Sequence, residues 1–560
     1  MDRDLRRMAD TTFDLVVVGG GIIGLAVARE AALRGLATAL VEKGDFGGAT
    51  SGNSLKLIHG GLRYLQHADL PRLRQSVRER RFFLHGAPHL VHPLSFLVPT
   101  YGHALKGPEA MAAAFRLYSL LAADRNRGVP PERRILPGRV VDAGECLRLF
   151  PGFRREGLNG GAVFQDGQVA NLDRLTLLFA LAAHGAGAAL ANHVRCQGFL
   201  LRNGSVAGIR ARDELTGQEL EIGARLVINA AGPWTDGLLR GLPRPARTTG
   251  YLLAKAVNVV VGRSLGLSCA VGLECPDERS DSLVGRGGRL FFLTPWRQMT
   301  LIGTTYHTWR DDPDRLTIGE EDLTEVLESI NRAWPEARLT LDDVVFHHLG
   351  MVPITAETGP SGVHLAKDDV FIDHRREGLE GLLSVVGVKY TTARDVARRA
   401  VNTAGRRLGV TLAPEEVSLA PLPGGEMESP HRFLATLPPA PGGGVDAESL
   451  TRLAALHGTL YPQVLDCGRE GEGLLQPLPG APLVLGAQVA HAVRREMARR
   501  LPDVVLRRTE LALHGRPPDE ALTAAARIMA AELGWDAGRV EAEVGDARRS
   551  FAWGGGRCGA

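Results

Sequence analysis

The sequence predicts an α/β protein in which a parallel-sheet domain and a mixed-sheet domain are interleaved, with a helical domain at the end. Three observations carry that prediction. A β-branched run, a triple glycine and a helix-patterned stretch follow one another between Phe13 and Arg34. Two further apolar runs, each ending in a small-residue turn, lie far downstream at 224–232 and 383–394. After two Pro/Gly-rich stretches, 421–425 and 437–444, the chain from Ala447 to about Phe551 has helical apolar spacing. The 560 residues are too many for one core, since domains of roughly 150 residues are usual. Apolar residues make up 44% and charged residues 23%, ordinary globular values that exclude a disordered or collagen-like chain. A net charge of +3 is too small to make nucleic acid the expected partner.

The first element, Phe13-Asp-Leu-Val-Val-Val18, reads as a buried parallel strand. Gly19 allows a tight turn, Gly21 lets the backbone approach a pyrophosphate, and Gly24 lets the next helix pack close. That helix runs from Leu25 to Arg34 and ends at Gly35. A second strand, Ala37 to Val41, ends at Glu42, which is placed to accept hydrogen bonds from ribose hydroxyls. Strand, glycine turn, helix, strand and acid together make a Rossmann-like dinucleotide-binding unit. The helix start offers free N–H groups and a positive dipole end to the anion. A glycine-rich turn in an unrelated α/β fold is the weaker alternative. The acid disfavours a 2′-phosphate, so NADP is not expected.

NAD and FAD both use this unit. The loop Gly44-Asp-Phe-Gly-Gly-Ala-Thr-Ser-Gly-Asn53 runs on from Glu42 and Lys43 as a small, hydroxyl-rich segment suited to lie along a long cofactor. Thr50 and Ser51 in it, then Ser54, Lys56 and Leu57, are candidate cofactor contacts. Ala224-Arg-Leu-Val-Ile-Asn-Ala-Ala-Gly232 reads as a strand returning to this domain, with Ala231 and Gly232 beside the cofactor. Leu383 to Arg394 reads as strand, turn at Gly387, and helix from about Thr391, so that Gly387, Thr391 and Thr392 face a flavin ring's pyrimidine end. The expected division is 1–94, 224–245 and 351–418 for the nucleotide-binding domain, and 95–223 and 246–350 for the substrate domain. A further return to the nucleotide-binding domain is expected near 163–190, a linker at 419–446 and a helical domain at 447–560.

Cys146, Cys196, Cys269, Cys275, Cys467 and Cys558 are scattered, so neither a disulfide framework nor a metal site is expected. No signal peptide or transmembrane run is apparent, which points to a cytoplasmic protein. Two basic or amphipathic stretches, 71–84 and 110–123, are candidates for the inner face of the cytoplasmic membrane; a solvated helix face explains each equally well.

The chain resembles the FAD-dependent glycerol-3-phosphate dehydrogenase/oxidase family. The resemblance rests on Gly19-Gly-Gly-Ile-Ile-Gly24, Lys56-Leu-Ile-His-Gly-Gly-Leu-Arg-Tyr-Leu65, Asn229-Ala-Ala-Gly-Pro-Trp234, Ile302-Gly-Thr-Thr305 and Lys389-Tyr-Thr-Thr392. Tail segments such as Ala492-Val-Arg-Arg-Glu-Met497 and Leu506-Arg-Arg-Thr509 extend it over nearly the whole chain. It implies an FAD enzyme that oxidises sn-glycerol-3-phosphate at C2, with hydride passing to flavin N5 and electrons going on to a quinone or another acceptor. It implies that His59, Arg63, Tyr64 and Lys389 serve catalysis, His59 as base or proton relay. Lys255, Asn258, Thr305 and Lys367 are the implied substrate side. The oligomeric state stays open, a homodimer included.

The chain departs from the family pattern at the phosphate end. Val352 stands in Gly350-Met-Val-Pro-Ile354 where the family has a substrate arginine, and Asn258 where it has a histidine. Lys367 stands for a second arginine, and Tyr306 for an aspartate. Losing a bidentate arginine costs about 1.5–3 kcal/mol, or roughly 10- to 100-fold in binding. Arg297, Arg310 or Lys367 would then restore the charge. The alternative is a less anionic hydroxylated substrate. A flavin-binding scaffold without catalysis is a third, weaker reading. Only six of the 66 cationic side chains are lysine: Lys43, Lys56, Lys106, Lys255, Lys367 and Lys389. In an arginine-biased chain these mark places where a compact ammonium is wanted, and all but Lys106 fall on the motifs above.

Overall fold

The fold holds two large sheets, and the His59 block follows Leu57–Ile58 of the second and bonds to Thr391 after the Leu382–Val386 strand of the first. The computed structural model describes residues 1–102, 107–243, 245–276, 288–357 and 363–553. Lys106, Cys558 and the 554–560 end of the expected helical domain lie outside them.

The first sheet has eight strands. At its centre Thr12–Val18 pairs in parallel with Glu219–Asn229 on one side and Thr38–Val41 on the other. Ala189–Ala191 continues it beyond Thr38–Val41, and Leu382–Val386 lies parallel beyond Glu219–Asn229. Antiparallel Val370–Asp373 forms one edge. Such strands are buried on both faces, which is why they read as continuous β-branched runs. Helices Ile22–Leu33, Leu172–Gly185 and Ala393–Leu408 cover one face through a core that includes Leu25, Phe179 and Val396. The hairpin Val194–Arg202/Ser205–Asp213 branches from Glu219–Asn229 and closes the other face.

The second sheet has ten strands. Its middle runs Val344–Glu357, Leu252–Val261, Met299–Trp309, Gly288–Trp296, Ala270–Pro276, Val91–Tyr101 and Leu158–Val169, ending at the short Leu57–Ile58. Helix Glu320–Ala333 covers one face, where Leu323, Val326 and Ile330 meet Val257, Val259 and Ile302. The 95–223 stretch is therefore shared. Residues up to Val169 belong mainly to the second sheet, whereas Leu172–Gly185 and everything from Ala189 to Asn229 belong to the first.

The last domain is built of helices Ala447–His457, Tyr461–Arg469, Gly486–Glu496, Asp519–Leu533 and Ala537–Arg549, with one small hairpin at Pro477–Leu485. The 419–446 stretch is packed rather than free. Leu422 is buried with its N–H on Gly86 O at 2.9 Å, and Pro430–Ala435 is a short helix. The domain is locked to the nucleotide loop by buried ions: Arg508 donates twice to Asp45, at 2.7 Å each, and Arg507 once at 2.5 Å. Asp45 is held below the ordinary carboxylate range. Burial alone would raise it, but Arg508 and Arg507 outweigh burial.

Candidate active site

The glycine turn has the shape the sequence calls for. Gly19 sits at φ +107°, and a Cβ there would meet Ala230 O at 2.6 Å. A Cβ on Gly24 would overlap Gly19 O, so the helix can approach the strand only with glycine at that position. Helix Ile22–Leu33 begins after extended Gly21 with no side-chain cap, and Ile22 N–H donates to Ser51 Oγ at 2.9 Å. Glu42 accepts from Gly20 N–H at 2.6 Å and Gly44 N–H at 2.8 Å, which leaves lone pairs for ribose hydroxyls. Burial raises its pKa, and those two donors oppose the rise. Gly232, at φ +55°, has open space where a Cβ would stand. Uncapped helix start, acid and open turn fit the pyrophosphate and ribose of a dinucleotide.

Thr50 links this loop to the second sheet, since its hydroxyl donates to Met351 O at 2.9 Å and accepts from Met351 N–H at 3.1 Å. Ser54 Oγ accepts from Lys56 N–H at 3.2 Å. Leu57 is buried in the Leu57–Ile58 strand. Lys56 is buried at φ +57°, its ammonium 4.9 Å from the Trp296 ring. Burial lowers its pKa, with Asp173 opposing and Arg297 adding to the fall. Lys43 lies 3.5 Å from the Trp234 ring centre and pairs with Asp314, so it ties down the edge of the nucleotide sheet.

The structure brings His59, Tyr64, Lys389 and Thr391 together. His59 N–H donates to Thr391 Oγ1 at 3.2 Å, which joins the His59 block to the turn after Leu382–Val386. Lys389 donates to the Tyr64 hydroxyl and lies 4.7 Å from that ring's centre. Gly387 packs its Cα against Ile23, and Thr392 is buried as the uncapped start of helix Ala393–Leu408. Arg63 is exposed at the same turn.

Behind His59 stands a network that the sequence reading missed. His59 Nδ1 is 3.2 Å from Asp166 Oδ2, and Gly60 N–H donates to Asp166 Oδ1 at 2.7 Å. The buried Arg80 guanidinium also pairs with Asp166, and donates to Gln165 O at 3.0 Å and the Tyr118 hydroxyl at 3.1 Å. Tyr118 donates in turn to Gly60 O at 2.9 Å. Burial would raise Asp166, but His59 and Arg80 hold it below the ordinary range. The carboxylate thus favours the tautomer with hydrogen on Nδ1 and turns Nε2 away from it. His59 is half exposed while Asp166 and Arg80 are buried, so the reactive end faces outward from a rigid base. No motif announces Asp166, which is 107 residues from His59.

The substrate-side residues divide. Asn258 is buried on Leu252–Val261 opposite a bulge at Thr304 in Met299–Trp309, and its Oδ1 accepts from Thr304 Oγ1 at 2.6 Å. Thr305 is buried next to it with no partner for its hydroxyl. Val352 is paired opposite Ala254. Ala366 N–H donates to Pro353 O at 2.9 Å, which carries exposed Lys367 past Val352. Asp368 pairs with Arg72 on the helix that follows Tyr64. Lys255 is elsewhere: it forms a 2.5 Å ion pair with Asp322 of the covering helix, on the strand face that carries Val257 and Val259 into the core. Alternation along a strand explains this, because odd and even positions face opposite sides. Of the other two cations expected to restore the phosphate charge, Arg297 pairs with Glu510 and Arg310 with Glu357.

Comparison with known proteins shows the family and the fold. Residues 14–415 match the FAD dependent oxidoreductase family, and residues 415–540 match the C-terminal domain of alpha-glycerophosphate oxidase. The chain is 32% identical over 518 residues to a glycerol-3-phosphate dehydrogenase of Synechocystis sp., covering 91% of each. It is 30% identical over 548 residues to one of Mycobacterium leprae, covering 96% of this chain and 88% of that one. The solved glycerol-3-phosphate dehydrogenase of Bacillus halodurans, complexed with FAD, shares the fold with a TM-score of 0.75 at 27% identity, over 98% of this chain and 97% of that one.

Proposed function

Because the chain belongs to the glycerol-3-phosphate dehydrogenase family of FAD-dependent oxidoreductases, we propose that it oxidises the C2 hydroxyl of sn-glycerol-3-phosphate to the ketone of dihydroxyacetone phosphate. The observation that carries this reading is His59, held on Asp166 and tied by its backbone to the Lys389–Thr391 turn. His59 Nε2 takes the hydroxyl proton, and Asp166 stabilises the imidazolium that forms. Bound FAD supplies the hydride acceptor for the carbinol carbon. Lys389, steadied by Tyr64, faces the developing alkoxide with its positive charge. Arg63 and Lys367, both exposed, hold the phosphate. The ten-stranded sheet is the substrate-facing unit, and the Ile22 helix start with Glu42 holds the dinucleotide.

Electrons then leave for a quinone or another acceptor at a membrane surface. No helix among the described residues is long and apolar enough to cross one. Helix Leu70–Gly86, the first surface candidate, turns Leu73, Val77 and Phe83 inward and pairs Arg72, Arg74, Arg80 and Arg81 with acids. Helix Pro108–Leu121 instead exposes Leu117 and Leu120, at 48% and 77%. That helix is the better contact.

A second reading has specific support. Val352 leaves an aliphatic side chain where the family has a substrate arginine, and Asn258 stands in place of a histidine. Both favour a less anionic hydroxylated substrate. Anaerobic bleaching of the oxidised flavin band separates the readings. Prompt bleaching by millimolar sn-glycerol-3-phosphate supports the first. Bleaching by another polyol or hydroxy acid but not by this phosphate supports the second.

A further inference from the structure

A cavity of about 210 Å³ lies where the C-terminal helices meet the main body, and nothing in the proposed reaction uses it. It is larger than the roughly 150 Å³ engineered cavity that holds a benzene molecule. Its walls come from two sources. His89, Leu90, His92, Arg133 and Ala170–Asn171 belong to the main body, while Phe433 and Leu434 come from the short helix of the 419–446 stretch and Leu456 from the first helix of the last domain. None of them belongs to the glycine turn, the His59 block or the Lys389 turn.

The polar end of the cavity carries three arginines, Arg133, Arg297 and Arg452, and one carboxylate, Glu510. Arg133 is buried, and its Nε donates to Pro88 O at 2.6 Å. Among the described residues no carboxylate forms an ion pair with it: neighbouring Glu132, whose charge reaches it only through space, is turned onto the Ser429 hydroxyl and the His431 N–H. Arg452 stands at the rim, bound only to exposed Glu448 at 3.2 Å. Arg297 is already balanced by Glu510. The buried cation that acts on His89, Arg174, is balanced by Glu496 at 2.5 Å. His89 also lines the cavity. It is only 6% exposed, and both of its ring nitrogens lack a partner. Burial, then Arg174, pushes its pKa down to about 3, so it is neutral and offers one donor and one acceptor. Buried polar groups without partners and a buried cation without a counter-ion are costly features. A bound anion would satisfy both. The opposite wall, Phe433, Leu434 and Leu456, is apolar.

We propose that this cavity is a binding site, separate from the active site, for a small organic anion. Its carboxylate or phosphate meets Arg133 and His89, and its apolar body fills the space against Phe433 and Leu456. Because the ligand touches both the main body and the last domain, its binding fastens the one to the other. The proposal is independent of which alcohol the active site oxidises.

The test is calorimetric titration of the flavin-loaded full chain with cyclohexanecarboxylate, with cyclohexanol (body only) and acetate (charge only) as comparisons. The carboxylate should bind at least about 10-fold more tightly than either. Arg133→Gln should bring it down to the level of cyclohexanol. Should that variant fail to fold, Arg452→Gln at the exposed rim should still weaken the carboxylate several-fold. Binding at the active site is recognised because it shifts the flavin absorption and survives Arg133→Gln. The proposal is overturned if cyclohexanol binds as well as the carboxylate. It is equally overturned if no carboxylate binds at tens of millimolar, or if the foldable variants bind it as the parent does.

Discussion

Replacing Asp166 by Asn tests the site most directly. The change keeps size and shape, and its carbonyl can still accept from Gly60 N–H and Arg80. Its amide, though, would donate to His59 Nδ1, now 3.2 Å from a carboxylate oxygen. That moves the imidazole hydrogen to Nε2, the atom required to accept the substrate proton. Loss of general-base action costs about 100- to 10,000-fold in rate. At about 1.36 kcal/mol per tenfold, that is roughly 2.7–5.4 kcal/mol of transition-state stabilisation. Stability falls as well, because Arg80, 1% exposed, loses its counter-ion. Breaking a buried pair costs about 3–5 kcal/mol, and the bonds Arg80 keeps to Gln165 and Tyr118 put this case at the lower end. The assay is the anaerobic stopped-flow rate of flavin reduction by sn-glycerol-3-phosphate, measured in Asp166→Asn, His59→Ala and the double variant. The two changes should not add: the double variant should be no slower than His59→Ala. A purely structural role for Asp166 would give additive losses. Reduction of Asp166→Asn at the parent rate with flavin retained refutes the reasoning.

Val352→Arg should lower KM for sn-glycerol-3-phosphate roughly 10- to 100-fold with little change in kcat, from a gain of about 1.5–3 kcal/mol; a KM unchanged by the arginine means that Val352 does not face the phosphate. Asp45→Asn should destabilise the folded chain by about 3–5 kcal/mol near neutral pH, since it leaves Arg507 and Arg508 buried without a carboxylate. The Asp45 carboxyl is depressed in the folded state, so its contribution is complete above its unfolded value of about 4 and is lost as pH falls below that. In thermal melts from pH 7 down to pH 3 the gap between parent and variant should therefore hold above about pH 4 and begin to narrow below it, and a gap that widens there would contradict the assignment. Leu117→Glu with Leu120→Glu should reduce flotation with anionic liposomes, because each leucine inserted contributes about 1.5–3 kcal/mol; unchanged flotation places the membrane contact elsewhere.

Everything local and sequential about this protein could be read directly from the chain. Gly19, Gly24 and Glu42 announce the nucleotide turn because the tight φ, the close approach and the acid each demand one residue type at one spacing. The parallel strands were visible because burial on both faces leaves continuous apolar runs. Tertiary structure decided what depends on facing. Lys255 and Asn258 are three residues apart on one strand, yet the first meets Asp322 in the core and the second meets Thr304. The shared 95–223 stretch, the packed Leu422 and the Arg508–Asp45 lock all follow from pairings between distant segments that leave no periodic mark. The same holds for Asp166. A carboxylate becomes the partner of a histidine by strand register across 107 residues, and spacing along the chain carries no trace of that.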